Sequence, residues 1–83
     1  QVSVDGKPVD LSYKEFELLY YLFRNKDIVL NRESIMARVW GYDFEGESRT
    51  VDVHIASLRH KLKEKASLIE TVRNIGYKVG YKE

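Results

Sequence analysis

The chain has 83 residues, with 14 Lys+Arg against 13 Asp+Glu, 43% hydrophobic residues and no Cys, which allows one small domain with a thin core. The absence of Cys excludes a disulfide scaffold and thiolate zinc sites. No apolar run approaches the roughly 18 residues of a membrane span, and no signal-peptide pattern opens the chain, so a cytoplasmic protein without membrane contact is expected. The net charge of +1 argues against a nucleic-acid partner until it is divided: residues 1–47 hold 6 Lys+Arg and 9 Asp+Glu, residues 48–83 hold 8 and 4, and a basic second half points to an anionic partner.

Val2-Ser3-Val4 and Val9-Asp10-Leu11 flank Asp5-Gly6, a dipeptide suited to a type I′ hairpin turn, and Pro8 pushes the second strand towards an edge. The strand-like run has no lead-in, so a piece of a longer protein is expected, with residues 1–83 as one domain. Ser12-Tyr13-Lys14-Glu15 is a capping box opening a first helix, with Leu11 and Phe16 as its hydrophobic staple. Phe16, Leu19, Tyr20 and Phe23 recur at helical spacing and are expected to face the core, and Asn25-Lys26-Asp27 ends the helix. Asn31 is a natural cap for a second helix, with Leu30 and Ile35 as its staple. Ile35, Met36, Val39 and Trp40 form its apolar stripe, and Gly41 stops it. A polar loop runs from Gly41 to Glu47.

A third helix is expected from a cap at Ser48 or Thr50 to about Lys65. Its core stripe is Val51, Ile55, Leu58 and Leu62. The opposite side carries Arg49, Val53, Ala56, Ser57 and His60, with Lys61 and Lys63 on the flanks. Short side chains ringed by cations let a helix approach a surface closely, and Val or Ala meets thymine methyl groups in a major groove. The alternative is that Val53 and Ala56 are buried against another element. Ile69–Arg73 and Tyr77–Tyr81 read as a closing hairpin. Asn74 and Gly76 tolerate positive φ in a three-residue loop, and Arg73 sits at the tip. Three helices and a hairpin outline an α+β winged helix-turn-helix, with the hairpin as wing.

From Leu11 to Val79 the chain resembles the OmpR/PhoB type of response-regulator effector domain. The resemblance rests on Leu11–Leu19, Val29–Glu33, Val39–Tyr42, Ser48–Ile55 with Leu58-Arg59 and Lys61-Leu62, and Thr71–Arg73 with Gly76-Tyr77. It implies the output half of a two-component transcription regulator that binds double-stranded DNA. The recognition helix would enter the major groove and the wing would reach the minor groove. By the same resemblance, Arg49, Thr50, His54 and Arg59 match phosphate or base contacts, and Asp52 and Val53 match positions facing base edges. Ala56 and Ser57 stand where long polar residues are common and where base choice is made. Lys61 flanks that face, and Trp40 matches a backbone contact before the loop. Thr71, Arg73 and Tyr77 match the wing's contacts, with Arg73 as the minor-groove side chain. The family's wing reads Val-Arg-Gly where this chain has Asn74, which tolerates the turn. Its four-stranded sheet before the first helix is shortened here to about two strands.

The resemblance further implies a phosphorylatable receiver domain and histidine kinase in the full-length protein, and a second copy on tandem half-sites. It also implies an RNA polymerase contact through the loop holding Tyr42, Asp43, Phe44, Glu45 and Glu47. No cofactor or metal is implied. His54 and His60 are six apart on one helix, about 120° from each other in direction, and cannot grip one metal. No His-Glu-x-x-His, glycine-rich phosphate loop or Cys nucleophile is present, so an enzyme is not expected. The remaining alternative is a winged helix used for protein–protein contact without DNA.

Overall fold

A computed structural model describes residues 2–4, 6–42, 44 and 46–80. Val2–Val4 (β1) and Lys7–Val9 (β2) pair antiparallel with Ser3 opposite Pro8, and Gly6 turns the chain at φ 82°. Asp5, the other half of the expected turn, lies outside the described residues. Helix α1 (Tyr13–Arg24) starts at the expected capping box. The Glu15 N–H donates to Ser12 Oγ at 3.2 Å and the Ser12 N–H donates to Glu15 Oε1 at 2.8 Å. It ends at Asn25, and Asp27 at φ 68° redirects the chain, donating its N–H to the Val79 carbonyl at 2.8 Å.

The core face of α1 differs from expectation. Leu18, Leu19 and Leu22 are buried, together with the Glu15 carboxylate. Phe16 and Tyr20 are 42% and 54% exposed and stack on each other at 6.2 Å, while Phe23 packs only at the core margin. Two apolar arcs share this helix, so periodicity alone does not choose between them. Packing selects the leucine arc, because that arc also turns Glu15 towards the third helix.

Leu30–Asn31 forms a short strand (β3) that runs directly into α2 (Arg32–Val39). Asn31 Oδ1 accepts the Ser34 N–H at 2.7 Å, the expected cap. Gly41, at φ 100°, closes the far end, its N–H reaching the carbonyls of Met36 and Ala37. Lys14 of α1 donates to the Val39 carbonyl at 2.7 Å and pairs with Glu17 at 3.1 Å, placing a cation at the carbonyl end of α2.

Helix α3 spans Arg49–Leu62, shorter than the expected reach to Lys65. Lys63 at φ 54° breaks the α-helix, and a 3₁₀ segment over Lys63–Leu68 delivers the chain to β4. The sequence there keeps helical propensity, so the stop comes from the need to enter the sheet. Ser48 occupies the cap position but makes no side-chain capping bond, and Thr50 lies within the helix. Strands β4 (Ile69–Val72) and β5 (Gly76–Val79) form the closing hairpin, Val72 opposite Gly76, around a loop in which Asn74 has φ 66°.

The wing sheet has three strands in the order β3-β5-β4, a strand more than the hairpin expected. A two-residue strand leaves no periodicity to detect. Its consequence is visible at Gly76, which sits in the strand rather than in the positive-φ turn assigned to it. A Cβ there would lie 2.0 Å from the Leu30 carbonyl oxygen, so β3 pairs with β5 only because position 76 has no side chain. One core joins the leucines of α1, Ile35 and Val39 of α2, Val51, Ile55, Leu58 and Leu62 of α3, and Ile69, Tyr77 and Val79 of the sheet.

Candidate nucleic-acid interface

Around α3 the residues fall into three tiers set by the helical turn of about 100° per residue. Val51, Ile55, Leu58 and Leu62 are buried, as expected. Arg49, Val53, Ala56 and His60 lie within about 60° of one another on the opposite side, and all four are exposed. Val53 is 58% exposed, which removes the alternative that it is buried against another element. Between these tiers lie two half-buried flanks, Thr50, His54, Ser57 and Lys61 on one side and Asp52 and Arg59 on the other. Each flank is fastened by a carboxylate.

On the first flank the anchor is Glu15 of α1, only 5% exposed. Lys61 Nζ donates to Glu15 Oε1 at 2.6 Å, and the Ser57 hydroxyl donates to Oε2. Burial pushes this carboxyl up, but the bonds from Lys61, Ser57 and the Ser12 N–H outweigh it and hold the pKa at about 2. Ser57 and Lys61, expected on the contact surface, are therefore tied to α1. Higher on the same flank His54 Nδ1 donates to the Thr50 carbonyl at 2.9 Å. Its ring meets Trp40 edge-on, centroids 4.8 Å apart, and Trp40 also meets Phe44 of the loop at 6.3 Å.

On the second flank the anchor is Asp52 itself. Arg32 Nε donates to Asp52 Oδ1 at 2.8 Å, and the Tyr77 hydroxyl donates to the same oxygen. Burial opposes ionisation of Asp52, but these two bonds depress its pKa, and burial together with Asp52 raises that of the Tyr77 hydroxyl. Asp52, expected to face base edges, is thus held by α2 and the wing. Tyr77, expected as a wing contact, is buried with its ring in the core. Arg59 donates to the Ile69 carbonyl at 2.7 Å and to the Thr71 hydroxyl at 2.8 Å, stitching α3 to β4.

Outside these clamps, Arg49 and Arg73 are exposed and have no partner among the described residues. In the loop, Tyr42 is 93% exposed and Glu47 is exposed, while its backbone carbonyl accepts the Thr50 N–H at 2.9 Å. Asp43 and Glu45 lie outside the described residues. Sequence reasoning missed two contributors, Arg32 and the second role of Glu15. Arg32 follows a cap residue and reads as an ordinary first-turn cation. Glu15 already had a complete local explanation in the capping box, and only the approach of α3 adds the other. The described residues contain no group of three or more His, Cys, Asp or Glu able to hold a metal, and no helix among them is long and apolar enough to cross a membrane.

The chain and its fold are similar to those of known proteins. The response regulator ArlR of Staphylococcus saprophyticus is 52% identical over 81 residues, covering 95% of this chain but 37% of the relative. The DNA-binding domain of Bacillus subtilis CssR superposes with a TM-score of 0.81 at 35% identity, covering 92% of this chain and 86% of that one. The Klebsiella pneumoniae RstA DNA-binding domain, solved in complex with the RstA box, gives 0.79 at 35% identity, covering 90% and 77%. The family model described as "Transcriptional regulatory protein, C terminal" matches residues 6–79, and the chain belongs to this family, the OmpR/PhoB type of response-regulator effector domain.

Proposed function

We propose that this chain binds double-stranded DNA sequence-specifically as the output domain of a two-component transcription regulator. Helix α3 enters the major groove and the β4–β5 hairpin brings Arg73 to the minor groove. The observation that carries this reading is the exposed row Arg49, Val53, Ala56 and His60 on a helix whose Asp52, Ser57, Arg59 and Lys61 are engaged within the protein. A helix presenting such a row is shaped to approach base edges, with Arg49 available to phosphate or guanine. Trp40, His54 and Thr50 line one shoulder of this face. Thr71, bonded to Arg59, forms the other shoulder together with Arg73.

The same reading assigns the loop from Gly41 to Glu47 to RNA polymerase, supported by the exposure of Tyr42 and Glu47. It places a second copy on a tandem half-site, and a receiver domain and its histidine kinase upstream in signalling. The setting is the cytoplasm, and the chain has no catalytic role and needs no cofactor.

Fluorescence anisotropy with duplex DNA across a salt series tests the proposal. Affinity should fall linearly with log salt, and Arg49→Ala should shallow the slope by about 1 if Arg49 meets a phosphate. Binding that ignores salt would instead favour a winged helix that contacts only protein.

A further inference from the structure

We propose that the groove between α1 and α2 docks an acidic segment of a partner protein. This surface lies outside the DNA-binding reading and stands or falls separately from it. At about 100° per residue, the buried Glu15, Leu18, Leu19 and Leu22 share one side of α1, while Tyr13, Phe16, Tyr20 and Arg24 share the other. The three aromatic residues are 72%, 42% and 54% exposed. Arg38 and buried Val39 of α2 form the facing wall, and half-buried Tyr21 also lines the groove, whose volume is about 680 Å³. Phe16 and Tyr20 stack on each other rather than on the core, so much of their apolar surface is left to solvent. Tyr, Phe and Arg are residues that protein interfaces favour, and Tyr and Arg are among those that carry most of the binding energy there. Glu15, on the buried side, meets α3 through Ser57 and Lys61, so the aromatic side points away from α3 and a duplex on α3 leaves the groove open.

Charge selects the occupant. Arg24 Nη1 donates to the Tyr20 hydroxyl at 3.1 Å and its guanidinium lies over that ring at 5.7 Å, while the Arg38 guanidinium lies over the Tyr21 ring at 5.8 Å. Neither guanidinium has a carboxylate partner among the described residues. The acid that lines the groove, Glu17, is paired with Lys14 at 3.1 Å. Two guanidiniums steadied by aromatic rings are therefore open to carboxylates, which they can grip with paired hydrogen bonds. A second copy of this chain fits poorly, because it would bring four of these guanidiniums together with no free carboxylate between them. The occupant is an acidic segment with an apolar side chain to cover the aromatic row.

The probe is a library of short random peptides displayed on phage and selected against this domain. The peptides recovered should carry Asp or Glu on either side of an aliphatic or aromatic residue. Their affinities as free peptides should fall about tenfold in Tyr20→Ala and in Arg38→Ala, and further in Arg38→Glu. Both positions are exposed, and circular dichroism checks that each variant is folded. A saturating duplex should leave peptide affinity unchanged. Recovery of no peptides, or of peptides without an acidic bias, would overturn the docking site. So would acidic peptides that bind the variants as tightly as the parent, or that duplex DNA displaces. Loss of duplex affinity in Arg24→Ala and Arg38→Ala would give the groove to DNA phosphates instead. A domain that binds these peptides but no duplex would sink the DNA reading alone.

Discussion

The two flanks of α3 solve the same problem in different surroundings. Glu15, its own side chain 6% exposed, gathers Ser57 and Lys61 between α1 and α3, whereas Asp52 gathers Arg32 and Tyr77 at the rim between α2 and the wing, its side chain 40% exposed. The difference teaches that one clamp belongs to the stability of the domain and the other to the placement of its parts. A buried carboxylate that loses its partners is costly, while a rim pair is screened by water. Both clamps draw polar groups away from the outward side of α3, where the row from Arg49 to His60 stays exposed.

The largest expected effect is on the buried side. Glu15→Ala breaks the capping box and the seam together and should cost about 3 kcal/mol in chemical denaturation. Acid probes the same clamp without mutation. A carboxyl held at about 2 in the fold, below its ordinary 4.5, stabilises at any pH above 4.5 and ceases to do so as pH falls through about 2. Stability should therefore drop by up to about 3 kcal/mol between those limits, and Glu15→Gln should flatten the profile. A Glu15→Gln profile as steep as the parent's would assign the acid loss elsewhere.

The rim clamp is expected to be weaker. Asp52→Asn and Tyr77→Phe should each cost about 1 kcal/mol. Their double-mutant cycle should show coupling of at least about 0.5 kcal/mol if the hydroxyl bond links helix to wing. Additive losses would dissolve that link and make the two flanks more alike than argued. Smallest for stability, within about 0.5 kcal/mol, is Arg73→Ala, because the side chain is exposed and has no hydrogen bond or ion pair among the described residues. Its effect should appear only in DNA binding, greater on AT-rich than on GC-rich flanks in anisotropy at constant salt. Equal losses on both would take Arg73 out of the minor groove.

Local signals were legible wherever a feature is complete within a few residues. The Ser12–Glu15 box, the Asn31 cap, the Gly41 stop, the Asn74 turn and the core stripe of α3 all depend on neighbours five residues away or fewer. Family membership was legible for a related reason, since ordered motifs along the chain survive in the one-dimensional record. The register of α1 was not, because its leucine and aromatic arcs are both apolar and only the position of α3 distinguishes them. Nor was β3, whose two residues acquire meaning only from β5 across the chain.

The candidate interface divides along the same line. Composition and spacing marked Arg49, Val53, Ala56, Ser57 and His60 as the outward row and Arg73 as the tip of the wing, and the structure exposes all of these but Ser57, which is half-buried. They cannot show that Asp52, Ser57, Arg59, Lys61 and Tyr77 are engaged within the protein, because each partner lies 10 to 46 residues away. By itself, then, the sequence determined the three helices, the closing hairpin, the family and the face of α3 turned outward, since these follow from the helical period, from short-range hydrogen bonds and from motifs in chain order. Only the tertiary structure decided which polar groups on that face remain available, because a hydrogen bond between distant residues exists only once the helices and the wing have packed.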